Sequence, residues 1–276
     1  MVSGTANRPL LIAHRGARSL APENTIAAAR KAIELGADMW ELDVGMTADG
    51  ELLVIHDSTL TRTSNVKTIF PTRRPWSLHE FTLKELRRLD FGTWFIDEDP
   101  FDQIAAGAVS PTEAERYRGE GAPTLRQALG FTRDRNWRVN VEIKDLRGTA
   151  GDPQVVARVV ALLEELDMVD RVLVSSFNHR YVKEVRERNA RIVTGALVSR
   201  PQSAPESLLH ELGAQAYHPA VSAIRRSEIV QLRKEGFQVN VWTVNEPKVM
   251  RSLTQAGASG IFTDFPQLLN PLVAEL

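Results

Sequence analysis

The chain has 276 residues, 43% hydrophobic and 25% charged, with 34 basic against 35 acidic side chains and no cysteine. Those proportions exclude collagen-like, disordered and disulfide-scaffold chains, and the missing thiols exclude cysteine nucleophiles and thiolate metal sites. A net charge of −1 offers no global field for nucleic acid or an anionic membrane, and no apolar run approaches the ~20 residues of a membrane span.

In chain order, the opening MVSGTANRP lacks the basic and apolar regions of a secretory signal, so a cytoplasmic protein without stable membrane insertion is expected. LLIAHRG (10–16) reads as a first strand, and 25–35 as the helix after it, stopped by Gly36. MWELDVG (39–45) is the second strand, and ELLVIHD (51–57), after an Asp49–Gly50 turn, is its hairpin return. Residues 58–122 are polar, arginine-rich and broken by Pro71, Pro75, Pro100 and Pro111. A stretch of about 65 residues without strong periodicity is an insertion rather than a connection. A helix resumes over 124–132.

From 138 onward the pattern is regular. Strands RVNVEIK (138–144), RVLVSSF (171–177), RIVTGALV (191–198), QAYHP (215–219), QVNVWTV (238–244) and SGIFTD (259–264) alternate with apolar or amphipathic stretches at 155–166, 181–189, 205–213, 227–236, 247–257 and 266–276. Eight strands with helical crossovers predict an α/β fold, a (β/α)8 TIM barrel, as a single domain over 1–276. The insertion 58–122 leaves the carboxyl end of strand two and so borders the mouth where barrels build active sites. An open doubly wound sheet fits less well, because no glycine-rich dinucleotide loop follows any strand.

Side chains at i and i+2 share a strand face. This groups Glu41 with Asp43, opposite Trp40, Leu42 and Val44, and Arg138, Asn140, Glu142 and Lys144 opposite Val139, Val141 and Ile143. The apolar sets pack under the helices, so the polar sets face the barrel interior. Inward carboxylates must be paired or bind a metal. Either Arg15, Arg138 and Lys144 neutralise them, or Glu41, Asp43 and Glu142 hold one hard divalent cation, Mg²⁺ or Ca²⁺. His14 and His56, each at a strand end, suit general acid and base work. Arg15 and Lys144 suit a phosphate. Trp242 reads equally as an apolar wall for a small polar substrate or as core packing. Phe177, His179 and His218 read as rim residues, with Phe177 a candidate substrate contact, Trp40 as core, and His79 and His210 as surface.

HRG (14–16), PENT (22–25), ELDV (41–44), DG-x-x-x-V-I-H-D (49–57), TLTRTSN (59–65), VEIK (141–144), SSF (175–177), VWTVN (241–245) and IFTDFP (261–266) occur in order. Together they closely resemble the glycerophosphodiester phosphodiesterase family across nearly the whole chain. The resemblance implies hydrolysis of a small-molecule glycerophosphodiester to sn-glycerol 3-phosphate and an alcohol. It also implies a divalent metal on Glu41, Asp43 and Glu142, and acid–base roles for His14 and His56, with no assignment of which is acid. Arg15 and Lys144 would hold the phosphate, and Trp242 would line the glycerol side. Attack by the glycerol 2-hydroxyl through a cyclic phosphate is the implied route. Two alternatives stay open on the residues alone: a lipid-cleaving barrel phosphodiesterase of the sphingomyelinase D or phosphoinositide phospholipase type, and a metal-using barrel lyase with Lys144 as its amine.

Overall fold

In this computed structural model, residues 8–274 are described; most of the amino-terminal stretch read for a leader lies outside them, as do the last two residues of the final predicted helix. The chain begins with β1 (Leu10–Ala13), α1 (Ile26–Glu34), β2 (Met39–Met46) and β3 (Leu52–Val54). Short helices α2 (Val66–Ile69), α3 (Leu83–Leu86), α4 (Thr93–Glu98) and α5 (Pro111–Glu115) occupy the 58–122 segment, and α6 (Leu125–Arg133) follows. Strands and helices then alternate: β4 (Arg138–Ile143), α7 (Val155–Glu165), β5 (Val172–Ser176), α8 (His179–Arg188), β6 (Val193–Val198) and α9 (Pro205–Leu212). β7 (Ala216–Pro219), α10 (Arg226–Lys234), β8 (Gln238–Val241), α11 (Pro247–Gln255), β9 (Gly260–Thr263) and α12 (Pro266–Ala274) complete the chain.

The sheet runs β1-β9-β8-β7-β6-β5-β4-β2, and β1–β2 pairing closes it into a parallel eight-stranded ring. The predicted (β/α)8 barrel is therefore the fold. β2 outruns β1: its first residues pair with β1, while Val44–Met46 pair antiparallel with β3, Val44 still holding Ile143 of β4 on its other edge. That split is the predicted hairpin, and it starts the excursion at the carboxyl end of the barrel. No helix among the described residues is long and apolar enough to cross a membrane.

Period-two alternation decides what lies inside the ring. Trp40, Leu42, Val44, Val139, Val141 and Ile143 join the large core between strands and helices. Trp40 stacks on Trp137 at 6.3 Å, and its indole N–H donates to Thr132 at 2.9 Å. Inside the ring, Ile12, Met39 and Phe262 form a small apolar plug. Around it lies a polar layer in which Asn140 donates to Ser175, and Asn240 to His218. Segment 58–122 buries its own apolar side chains in two small cores, one shared with Leu53 and Ile55, the other with Ala28. Its arginines are partly structural: Arg73 lies 4.0 Å over the Phe81 ring and pairs with Glu85.

Two sequence expectations are corrected here. His218 is not at the rim: it is fully buried inside the ring, and the absent side chain at Gly195 makes its room, since a Cβ there would stand 2.7 Å from Nε2. Arg138 does not neutralise the inward acids. It is exposed at the other end of the barrel, beside Leu10 and Met39. The strand face was right, but four residues along a strand is about 13 Å.

Buried His218 makes stability depend on pH. Its Nε2 accepts from the Asn240 amide, and burial pulls its pKa down to about 3. Below the ordinary value of about 6.5 the unfolded chain takes a proton that the folded one refuses, so stability falls as pH drops from about 6.5 toward 3. The expected contribution is a loss of about 2 kcal/mol between pH 7 and pH 5. Urea melts of wild type and His218→Gln at both pH values should show the variant losing less, by that amount. An identical loss in both proteins would refute the account.

Candidate active site

The carboxyl end of the ring gathers the inward acids. The β2–β4 register sets Asp43 opposite Glu142, and the alternation brings Glu41 to the same side. One carboxylate oxygen from each of Glu41, Asp43 and Glu142 lies within 4.8 Å of the other two. Asp43 is well satisfied: Asn24 donates to it at 2.9 Å, Lys144 stands 3.2 Å away and Arg15 3.3 Å away. Burial opposes its charge, but Lys144, Arg15 and His56 hold its pKa below the usual range.

Glu41 is different. Its Oε2 accepts the backbone N–H of Arg15 at 2.8 Å, while its buried Oε1 has no partner. Burial, reinforced by Asp43 and Glu142, pushes Glu41 well above the carboxylate range and raises Glu142 as well. Arg15 and Lys144 therefore neutralise the trio only in part. An orphaned oxygen inside an all-carboxylate donor set fits a hard divalent cation, and these three residues are the ones that could hold it.

Two histidines flank the acids. His14 follows β1, and its Nδ1 contacts Asp264 Oδ1 at 2.7 Å, leaving Nε2 4.0 Å from Glu41. Burial lowers the His14 pKa, partly offset by the Asp264 hydrogen bond. Burial would raise Asp264, yet His14 and Arg18 hold it at about 2. His56 follows β3, and its Nδ1 contacts Asp57 Oδ1 at 2.6 Å. A carboxylate on Nδ1 fixes the ring and frees Nε2 toward the cavity.

The turn after β1 is conformationally demanding. Arg15 has φ +54° and Gly16 φ +79°, and a Cβ on Gly16 would stand 2.7 Å from Ala28. This non-glycine left-handed residue aims the Arg15 backbone at Glu41, as strained residues at functional sites often do. The Arg15 guanidinium donates to Glu23 at 2.8 Å. Glu23 also binds Arg18 and Arg62, and Arg62 returns to Asp57. Burial would raise Glu23, but Arg15 and Arg62 bring it down to about 2.

Lys144 lies 2.6 Å from Glu142 as well as close to Asp43, and although burial opposes it, Asp43 and Glu142 raise its pKa. This is the opposite of the neutral amine a Schiff-base lyase needs. Trp242 lines the cavity, its indole N–H donating to the His218 carbonyl at 2.8 Å, and Phe177 meets it edge-to-face at 5.5 Å. Phe177 is 41% exposed, at the rim as expected. All nine sequence-selected residues except Asp43 line this cavity of about 160 Å³, and Asp43 sits behind it. Sequence reasoning gave no role to Asp264, Glu23, Asn24, Arg18 or Arg62. All but Arg18 stood inside the IFTDFP, PENT and TLTRTSN motifs, which was the available signal.

Fold and mouth together define a (β/α)8-barrel enzyme. Its family follows from similarity: residues 14–268 match the glycerophosphoryl diester phosphodiesterase family, phosphoric diester hydrolases to which the chain belongs. A glycerophosphodiester phosphodiesterase of Caldanaerobacter subterraneus subsp. tengcongensis is 34% identical over 266 residues, spanning 96% of this chain and 98% of that one. Among solved structures, an Oleispira antarctica phosphodiesterase in complex with the product sn-glycerol-3-phosphate superposes with a TM-score of 0.81 at 26% identity, covering 97% of both chains. A glycerophosphodiester phosphodiesterase from Agrobacterium tumefaciens superposes at 0.74 with 28% identity, covering 95% of this chain and 99% of that one.

Proposed function

We propose that the protein hydrolyses glycerophosphodiesters to sn-glycerol 3-phosphate and an alcohol, with His14 and His56 as its acid–base pair. The observation that carries this reading is one cavity lined by both histidines, Arg15, Lys144, Glu41 and Glu142, with an orphaned Glu41 oxygen in the acid trio. Glu41, Asp43 and Glu142 would hold one divalent cation, Mg²⁺ or Ca²⁺, which when bound supplies Lewis-acid polarisation of a phosphate oxygen. Arg15 and Lys144 bring positive charge to the phosphate, where it offsets charge that grows in the transition state.

Substrate glycerol carries its own nucleophile. One histidine removes the proton of the 2-hydroxyl as that oxygen bonds to phosphorus, and the other protonates the departing alcohol oxygen as its P–O bond breaks. Intramolecular attack avoids much of the entropic cost of bringing two molecules together. The histidines then exchange roles as water opens the cyclic phosphate. Phe177 and Trp242 wall the side where the glycerol carbons would lie.

Purified protein given glycerophosphocholine should release sn-glycerol 3-phosphate, lose that activity on exhaustive chelation and regain it with Mg²⁺ or Ca²⁺. Undiminished release from metal-free protein would overturn the cation's part. No release from any glycerophosphodiester would overturn the reaction.

A further inference from the structure

A second, larger cavity adjoins the first. It has a volume of about 610 Å³ against about 160 Å³, and shares His56, Glu142, Lys144 and Phe177 as a common wall. Its far side is built by the β2–β3 hairpin, the start of the 58–122 segment and the loop after β4, which contribute Met46, Ile55, Leu78 and Leu146. The carboxylates and cations along it are all engaged. Asp57 pairs with Arg62, Glu142 with Lys144, and Asp145 with Arg147. A cationic head group entering this groove meets no uncommitted carboxylate, whereas an apolar body meets aliphatic and aromatic side chains.

We propose that this groove is the subsite for the alcohol half of the diester, and that it selects alcohols with an apolar body over charged ones of the same shape. The inference rests on the hydrolase reading above, because it takes the shared wall as the place where the scissile phosphate sits. The smaller cavity, beside Trp242, is then left for the glycerol half. Burial of a methylene contributes about fourfold in an equilibrium or specificity constant. A chain that fills the groove should therefore gain steeply until it reaches solvent.

The test uses sn-glycerol 3-phosphate esterified with methanol, butanol, octanol, choline and 3,3-dimethylbutanol, the last being the uncharged counterpart of choline. The expected result is a kcat/KM that rises at least tenfold from methyl to butyl and again toward octyl, and a tenfold or greater preference for the dimethylbutyl ester over choline. Leu146→Glu should lower the octyl-to-methyl ratio at least tenfold, a comparison made within one protein and so insensitive to how much of it folds. Equal rates along the alkyl series, or choline preferred over its neutral counterpart, overturns the subsite while leaving the hydrolase reading intact. Failure of the wild type on every ester overturns both.

Discussion

Glu41→Gln should produce a protein that is more stable without metal, yet nearly inactive. The trio packs three acids around one point, and Arg15 and Lys144 supply only two positive charges, both committed mainly to Asp43, Glu142 and Glu23. Glu41 is the member whose Oε1 has no partner, while its Oε2 only accepts the Arg15 backbone N–H. A glutamine carbonyl can still accept that hydrogen bond, and removing the charge relieves repulsion in a buried place. A gain on the order of 1 kcal/mol in metal-free stability is expected. The same change removes one of three anionic donors from the cation site. Calorimetric titration with Mg²⁺ or Ca²⁺ should show affinity falling at least about 10-fold, and turnover should drop by about 10²-fold or more. The opposite signs are diagnostic, because a purely structural carboxylate would lose stability and activity together. A variant that melts lower than wild type in chelator, or binds the cation as tightly, contradicts the role.

The acids were legible because strand periodicity places residues on faces, and a charge on the inward face of a barrel strand has few explanations. Periodicity does not give height along the barrel, which is why Arg138, on the right face of β4, stands at the wrong end. Nor does it reveal room: His218 sits deep inside because Gly195, which pairs with Ala216 and so lies diagonal to it across β6–β7, leaves space for its ring, a fact visible only once the register pairs those strands. The partner of His14 was hidden for a topological reason. Asp264 is 250 residues away, and the two meet because ring closure pairs Ala13 with Thr263. The 58–122 segment showed no period because its helices are only 4 to 6 residues long, too short to repeat an apolar face. Its anchoring to the barrel emerges from contacts with Leu53, Ile55 and Ala28, all outside it.

The largest losses of turnover should come from the histidines. His14→Ala and His56→Ala should each lower kcat by about 10²- to 10⁴-fold, the usual worth of a positioned acid or base. Neither ring carries the fold: His14 and His56 are partly exposed at the mouth, outside the barrel cores, so thermal melts should shift little. If the pair works in one cycle, handing protons in opposite directions in the two half-reactions, the double variant should lose far less than the product of the single losses. Their carboxylates supply a finer test. Asp264→Asn keeps the shape but removes the charged acceptor at His14 Nδ1, and Asn245, which donates to Asp264 Oδ2 at 2.8 Å, stays to hold the side chain. A positioning role predicts a smaller fall in kcat, about 10- to 10³-fold, with KM little changed. Asp57→Asn should act the same way on His56, with an added effect through Arg62, which ties Asp57 to Glu23 and so to Arg15. A loss expressed in KM alone would move these residues from catalysis to substrate binding, and full activity in both alanine variants would remove the histidines from the reaction altogether.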